Sequence, residues 1–167
     1  MPVLGVRLTL RIKAPHLAVR SLFAEATPQG ATLCCKHLEK GFEMADLQAA
    51  AKRVARFREV MAQRGYDAVV LRHNPDLRWL TDAERTFDFE QAHTAFITQD
   101  ELFMHTDSRY YNTFLERLGA DSPWKFDQEV TTPTEWVAAH IAEARARVVA
   151  IEDTVDLAFF DGLEQAL

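Results

Sequence analysis

The segment Asn74-Pro75-Asp76-Leu77-Arg78-Trp79-Leu80-Thr81 is the most informative part of this sequence, together with the later segment Thr106-Asp107-Ser108-Arg109-Tyr110-Tyr111. Asn-Pro opens a turn, because proline fixes its own φ and keeps the preceding residue out of the helical region. Residues 77–81 then alternate partly between apolar and polar side chains, which predicts a short strand. Residues 102–106 form a second apolar run, and Asp107 or Ser108 can cap a helix that begins there.

The composition of the chain is that of one globular domain. Its 167 residues are enough to bury a sizeable core, and 48% of them are apolar while 26% are charged. The net charge of −6 argues weakly against a surface for nucleic acid or for anionic membranes. No apolar run approaches the ~20 residues that span a bilayer. We therefore expect neither nucleic acid nor a membrane as a partner.

Residues 1–43 differ from the rest of the chain. They hold six Lys or Arg and three Glu, they are free of acids before Glu25, and they show no sustained helix or strand period. The segment is a transit peptide, a genuine N-terminal extension, or translated sequence upstream of a true start at Met44. The last reading is favoured, because a well-patterned helix begins directly after Met44. The predicted division is a leader or extension over residues 1–43 and a domain over residues 44–167.

The two cysteines indicate a reducing compartment. Cys34 and Cys35 are adjacent, and neighbouring cysteines bridge each other only with strained geometry. No disulfide framework is therefore indicated, and we expect a cytoplasmic protein.

From Leu47 onward, helical and strand patterns alternate. Apolar residues recur at helical spacing up to Gly65, which is a plausible C-terminal stop. Thr132, Pro133 and Glu135 form a sharp helix start, with the threonine as N-cap and the glutamate closing a capping box. The order is mixed α/β: helix 47–64, strand 67–72, strand 77–81, strands 94–98 and 101–105 as a hairpin, helix 108–118, strand 124–130, helix 133–147, strand 148–152, and a last helix capped by Asp156.

Four motifs in this order resemble the N-terminal domain of the creatinase, prolidase and Xaa-Pro aminopeptidase family. They are the Arg-rich helix 53–64 followed by Gly65-Tyr66-Asp67, the run Asp76-Leu77-Arg78-Trp79-Leu80-Thr81, the run Thr106-Asp107-Ser108-Arg109-Tyr110, and the strand end Ile151-Glu152. The resemblance covers residues 52–167. It departs from the family after Thr81, where Asp82-Ala83-Glu84 stands in place of the usual glycine and aromatic residue.

The resemblance implies an α/β fold like that of ribonuclease H, a mixed β-sheet flanked by helices. It also implies a non-catalytic role, because the family holds its pair of divalent metals (Mn, Co or Zn) with two Asp, one His and two Glu of a C-terminal catalytic domain. No such set is recognised in this sequence, so we expect no cofactor and no peptidase activity in this chain. The expected partners are the catalytic domain of an Xaa-Pro aminopeptidase or dipeptidase, a second copy in a homodimer, and short proline-containing peptides.

The loop after Thr81 is where the resemblance implies contact with substrate. Arg85 there can pair with a substrate carboxylate, and Phe87 or Phe89 can stack on a proline ring. The alternative is that both phenylalanines are core or hinge residues and that the arginine is solvated.

Three other functions compete with this interpretation. The first is a stand-alone binding or dimerisation module. The second is an independent hydrolase with a metal on His105 and Asp107, completed by His93 or His73, although strand-end histidines and a helix-capping aspartate explain these residues better. The third is a nuclease that uses the acidic side chains of the loop, which are better explained as solvated: Asp82, Glu84, Asp88 and Glu90.

Overall fold

A mixed β-sheet forms the middle layer of the molecule. The computed structural model describes the backbone of residues 11–13 and, in full, residues 45–83, 86–87, 90–127 and 130–167. The strands in chain order are β1 (Arg11–Lys13), β2 (Ala68–Leu71), β3 (His93–Thr98), β4 (Leu102–Thr106), β5 (Trp124–Asp127) and β6 (Val148–Ile151). The helices are α1 (Leu47–Arg64), α2 (Asn74–Thr81), α3 (Ser108–Leu118), α4 (Pro133–Glu143) and α5 (Leu157–Ala166).

The strand order across the sheet is β1-β6-β2-β3-β4-β5. Strand β6 pairs in parallel with β1 and β2, and β4 pairs in parallel with β5. Strand β3 runs antiparallel to both β2 and β4, and strands β3 and β4 form the predicted hairpin. The mixed sheet flanked by helices confirms the fold class predicted from the sequence.

Strand β1 belongs to the segment in which the sequence shows no strand period. Three residues are too few to produce a recognisable alternation. Their pairing with β6, from Arg11 opposite Val148 to Lys13 opposite Ala150, is a contact that only the three-dimensional structure reveals.

Alternating strand residues build a core on each face of the sheet. On one face, Val69, Leu71 and Ile97 pack against α1, α2 and α3, with Phe57, Leu80 and Phe114 fully buried. On the other face, Val70, Phe96 and Ile151 pack against α4 and α5, with Trp136, Phe159 and Leu163 buried. Strands β2, β3, β4 and β6 therefore contribute to both helical layers, as their side-chain period of two requires.

The helix ends follow the sequence signals closely. Gly65 ends α1 in the left-handed conformation with φ 68°, as expected for a C-terminal glycine. Asp107 and Asp156 cap α3 and α5, and Thr132 and Glu135 form the predicted capping box at the start of α4.

The strand predicted over residues 77–81 is wrong, because residues 74–81 form helix α2. Pro75 lies in the first turn of that helix, where its missing N–H costs nothing. The buried residues Leu77, Leu80 and Thr81 follow helical spacing, and the Thr81 hydroxyl donates to the Leu77 carbonyl at 2.8 Å. Over only eight residues, that spacing is hard to distinguish from strand alternation.

Two other predictions need correction. Helix α4 ends at Glu143 rather than near residue 147, and Arg145 then adopts a left-handed φ of 51°. The apolar periodicity of α3 and α5 predicts that Leu115 and Leu167 face inward, yet these side chains are 43% and 49% exposed. Among the described residues, no helix is long and apolar enough to cross a membrane.

Candidate functional site

Most of the polar side chains noted in the sequence analysis lie at one end of the strands of the sheet. Strands β2, β4, β5 and β6 all end at this edge and β3 begins there, since Leu71 pairs with Ala95 and His93 pairs with Thr106. We call it the carboxyl edge. Residues 82–92, here called the edge loop, connect α2 to β3 at the same edge. Open α/β sheets commonly bind their ligands at the carboxyl ends of strands.

A buried carboxylate organises the turn between β2 and α2. Glu152 follows β6 directly, is only 4% exposed, and accepts the backbone N–H of His73 at 3.0 Å. Burial raises the pKa of Glu152, although backbone hydrogen bonds from His73 and Arg72 act in the opposite direction. His73 also places its Nδ1 3.0 Å from a carboxylate oxygen of Asp76 in the first turn of α2.

Arg72 is the second buried charge at this edge. Its guanidinium lies 4.4 Å from the centre of the Phe159 ring and 3.7 Å from the Asp156 carboxylate. Burial lowers the pKa of Arg72, and Asp156 and Glu152 oppose that effect. Its Nη2 also donates to the backbone carbonyl of Gln91 at 3.2 Å. The side chain thereby connects α5 to the end of the edge loop.

Two further side chains of the β2–α2 segment donate to carbonyls of the edge loop. Asn74 Nδ2 donates to the Glu90 carbonyl at 2.9 Å, and Arg78 Nη2 donates to the Phe87 carbonyl at 2.8 Å. Asn74 is 8% exposed and Arg78 is half-buried. The main chain of the loop is therefore fixed from the side of α2.

The predicted substrate-contacting residues fall in the edge loop. Phe87 is 2% exposed and packs edge-on against His93 at 5.1 Å and against Phe114 at 5.0 Å. In this chain its ring therefore belongs to the core beneath the loop. Arg85 and Phe89 lie outside the described residues, and their role in substrate contact stays a prediction.

Asp82 occupies the position where the family usually has glycine. Its φ of 59° is in the left-handed region that glycine favours. One carboxylate oxygen accepts the backbone N–H of Asp46 at 2.9 Å, and the other pairs with Arg53. The departure from the family pattern is therefore accommodated by contacts that connect the end of α2 to the start of α1.

The second informative segment forms the other half of the carboxyl edge. Asp107 caps α3 by accepting the backbone N–H of Arg109 at 2.9 Å, and it also pairs with the Arg109 guanidinium at 3.0 Å. These contacts lower the pKa of Asp107. Arg109 reaches Glu90 of the edge loop at 3.0 Å, and the Tyr110 hydroxyl donates to the same carboxylate at 3.3 Å.

The His105 ring contacts the Asp127 carboxylate rather than that of Asp107. His105 Nδ1 lies 3.1 Å from one carboxylate oxygen of Asp127, and the indole N–H of Trp136 donates to the other. The His105 ring stacks on Trp136 with 5.2 Å between ring centres. A cavity of about 510 Å³ opens beside it, and its lining includes Glu90, Asp107, Arg109 and Pro133.

The donors described at this edge do not fit a two-metal centre. His93 is fully buried with Nδ1 2.8 Å from the Thr106 hydroxyl, while His73 contacts Asp76 and Asp107 caps a helix. In the part of the chain that the structure describes, no three His, Cys, Asp or Glu side chains converge as metal ligands. Glu84 and Asp88 lie outside that part, as do Cys34 and Cys35.

Sequence reasoning gave no role at the site to Arg72, Asn74, Glu152 or Asp127. A usable signal was present for two of them. Arg72 and Glu152 directly follow the buried strands β2 and β6, so a charged side chain there begins at the level of the core. The contacts of Asn74 and Asp127 join elements distant in sequence, and no local pattern reveals them.

A second cavity lies at the opposite edge of the sheet. It has a volume of about 810 Å³, and its lining includes Asp67, Glu101, Phe103, Lys125 and His140. Lys125 pairs with Glu101 at 2.6 Å. The Asp67 carboxylate accepts the backbone N–H groups of Arg147 and Val148, which fixes the start of β6. Three of the charged groups of this cavity, those of Asp67, Glu101 and Lys125, are therefore engaged with one another or with the backbone.

The strand order, with helices on both faces and the edge loop across one end, defines a three-layer α/β domain. The sequence model of the family described as Creatinase/Prolidase N-terminal domain matches residues 53–167. The chain belongs to the creatinase/prolidase N-terminal domain family. The resemblance predicted from the four motifs is confirmed.

Solved structures support the same fold. An Xaa-Pro aminopeptidase (aminopeptidase P) from Streptococcus thermophilus matches with a TM-score of 0.58 and 18% identity, over 72% of this chain and 85% of that one. The N-terminal domain of a cytoplasmic peptidase from Mycobacterium tuberculosis matches with a TM-score of 0.55 and 19% identity, over 68% and 83%. A search of curated protein sequences gives no significant match.

A longer relative shows what share of a larger peptidase this fold represents. The Xaa-Pro dipeptidase from Bacillus anthracis matches with a TM-score of 0.60 and 18% identity, over 71% of this chain and 31% of that one. The chain thus aligns with less than a third of that protein. At these identities, the likeness to solved structures shows the fold alone.

Proposed function

We propose that this chain is the non-catalytic N-terminal domain of a metal-dependent Xaa-Pro aminopeptidase or dipeptidase. The observation that carries the proposal is the family match over residues 53–167. It is supported by the match to only 31% of the B. anthracis dipeptidase, because the remainder of such a protein is available for catalysis. On this proposal, the domain is formed by residues 44–167, and residues 1–43 are a leader or extension.

The chemistry would be performed outside the described residues. A pair of divalent ions, Mn, Co or Zn, would be held by a catalytic domain and would activate water for attack on the scissile carbonyl. The part of this domain would be to pack on that catalytic domain, to assist formation of a homodimer, and to narrow the site around short proline-containing peptides. The cytoplasmic location is proposed with it, supported by the M. tuberculosis relative, which is described as a cytoplasmic peptidase.

The carboxyl edge is the face proposed to lie towards the active site. It carries the edge loop, whose Arg85 and Phe89 remain the proposed substrate contacts, and Phe87 would support them from the core. Fully exposed Val130 lies on the same edge, beside the 510 Å³ cavity. No described residue covers the Val130 side chain, so it would be available for contact with another domain.

The experiment compares the longer polypeptide that carries this chain with the same polypeptide lacking residues 44–167. We expect the longer polypeptide to hydrolyse an Xaa-Pro peptide when supplied with Mn²⁺, Co²⁺ or Zn²⁺. Removal of the domain should raise the KM for the Xaa-Pro peptide or abolish dimer formation. Sedimentation measures the oligomeric state. Unchanged kinetics and an unchanged oligomeric state after removal would contradict the proposed role and favour a stand-alone module.

A further inference from the structure

Three side chains from one short segment donate to three backbone carbonyls of the edge loop. The donors are Arg72, Asn74 and Arg78, here called the loop clamp, and the acceptors are the carbonyls of Gln91, Glu90 and Phe87 at 3.2, 2.9 and 2.8 Å. Two of the three donors are charged, which makes their hydrogen bonds stronger than neutral ones. The clamp therefore holds the second half of the loop at three positions, Phe87, Glu90 and Gln91.

All three acceptors are main-chain carbonyl groups. A backbone carbonyl is present whatever residue occupies the position, so the clamp fixes the path of the chain without depending on the loop side chains. The three clamp bonds would therefore persist when the side chains at positions 87, 90 and 91 change. A loop that must present specific side chains at a fixed place needs this arrangement.

The clamp residues are themselves held in place before they reach the loop. The backbone of the turn is fixed by buried Glu152 through the N–H of His73. Arg72 is packed on Phe159, and Arg78 projects from helix α2. Because these groups are ordered by β6, α5 and α2, little further entropy is lost when they bind the loop.

The other side of the edge loop is anchored through its side chains. The Phe87 ring is enclosed by His93 and Phe114, and the Glu90 carboxylate accepts from Arg109 and from the Tyr110 hydroxyl. The main chain thus faces α2 while these two side chains face β3 and α3. The described residues of the loop are held from both sides.

We propose that Arg72, Asn74 and Arg78 are positioning residues that set the conformation of the edge loop at its described residues 86–87 and 90–92, and so determine which peptides the assembled site accepts, without touching the peptide themselves. The second half of this statement rests on the proposed function, whereas the first half concerns this chain alone. Of the three, Arg78 is the most direct to test, because Arg72 also contacts Asp156 and Phe159.

The first test is hydrogen exchange on the 167-residue chain. In Arg78→Gln, amides of residues 86–92 should exchange roughly tenfold faster or more, while those of β2 and α4 keep their rates. Arg56→Gln is the matched control, because Arg56 is exposed on α1 and, within the described part of the chain, its ion pair is with Glu59 of its own helix. Arg78→Lys, which retains a charged donor, should restore most of the protection. Asn74→Ala provides a second, independent removal of one clamp bond.

Faster amide exchange that is confined to the edge loop in Arg78→Gln or Asn74→Ala supports the clamp. Equal acceleration of all amides, or loop exchange equal to that of Arg56→Gln, overturns it.

The second test uses the longer polypeptide and separates the two halves of the proposal. Arg78→Gln should raise KM for a short Xaa-Pro peptide several-fold with little change in kcat, because a displaced loop weakens ground-state and transition-state binding alike. Equal KM values for Arg78→Gln and Arg56→Gln would refute the role in peptide selection. If the longer polypeptide cleaves no Xaa-Pro peptide, the proposed function fails, and the exchange result still decides whether the clamp exists.

Discussion

Asp82 shows how one residue can replace the glycine that a family pattern leads one to expect. The residue after α2 must adopt a left-handed φ, which is observed at 59° and costs a non-glycine residue roughly 1 kcal/mol. Asp82 offsets this cost through the backbone N–H of Asp46 and the guanidinium of Arg53. The sequence identified the departure, but not the two partners, which lie 36 and 29 residues away.

Substituting Asp82 separates the two effects. Asp82→Ala loses both contacts and keeps the backbone strain, so we expect it to lower the free energy of unfolding by roughly 1–2 kcal/mol. Asp82→Gly loses the same contacts but relieves the strain, and it should be less destabilised than the alanine variant by about 1 kcal/mol. Urea denaturation measures both values. Equal losses in the two variants would contradict the account of this position.

Glu152 gives the stability of the domain a pH dependence with a definite sign. Burial raises its folded-state pKa above the usual 4.5, so the folded state binds the proton more tightly than the unfolded chain does. Stability from this group is therefore fully present below pH 4.5 and is lost as pH rises through the folded pKa. Glu152→Gln removes the ionisation and retains an oxygen for the His73 N–H.

The comparison of Glu152→Gln with the unaltered chain should therefore change with pH. We expect the variant to gain stability relative to the unaltered chain as pH rises from about 4 to 7. Thermal unfolding over that range measures the difference. If the stability difference between the variant and the unaltered chain stays constant, or shrinks as pH rises, burial does not raise the folded-state pKa of Glu152.

At the scale of elements, the sequence predicted best where a local chemical signal marks an end. The boundaries of α1, α3 and α4 at their caps follow from Gly65, Asp107 and Thr132, because each residue satisfies backbone groups within a few positions of itself. Helix α2 was missed since eight residues give too few turns to separate helical from strand spacing. Strand β1 was missed because it depends on pairing with β6, more than 130 residues later in the chain.

The capping box of α4 allows a matched test of one such local signal. The Thr132 hydroxyl accepts the backbone N–H of Glu135, and the Glu135 carboxylate accepts that of Thr132. Thr132→Ala should lower the free energy of unfolding by about 1 kcal/mol. Thr131→Ala, at the exposed neighbouring position, should change it by less than about 0.5 kcal/mol. Equal effects of the two alanines in chemical denaturation would show that the cap contributes nothing.

At the scale of the whole molecule, the motifs predicted the family and the fold class, but not the architecture of the site. Arg78 was recognised as part of a motif, yet its contact with Phe87 became visible only with coordinates. The partners of Arg72, Asn74 and His105 come from different layers or strands. Contacts between such distant positions depend on topology, which short-range periodicity does not encode.

On the proposed function, the catalytic chemistry of this protein is supplied from outside the described domain. Hydrolysis of an Xaa-Pro dipeptide by the purified 167-residue chain, in the presence of Mn²⁺, Co²⁺ or Zn²⁺, tests this. We expect no turnover above that of the metal ion alone. Metal-dependent turnover that copurifies with the chain, and that is lost when His105 or Asp127 is replaced, would contradict it.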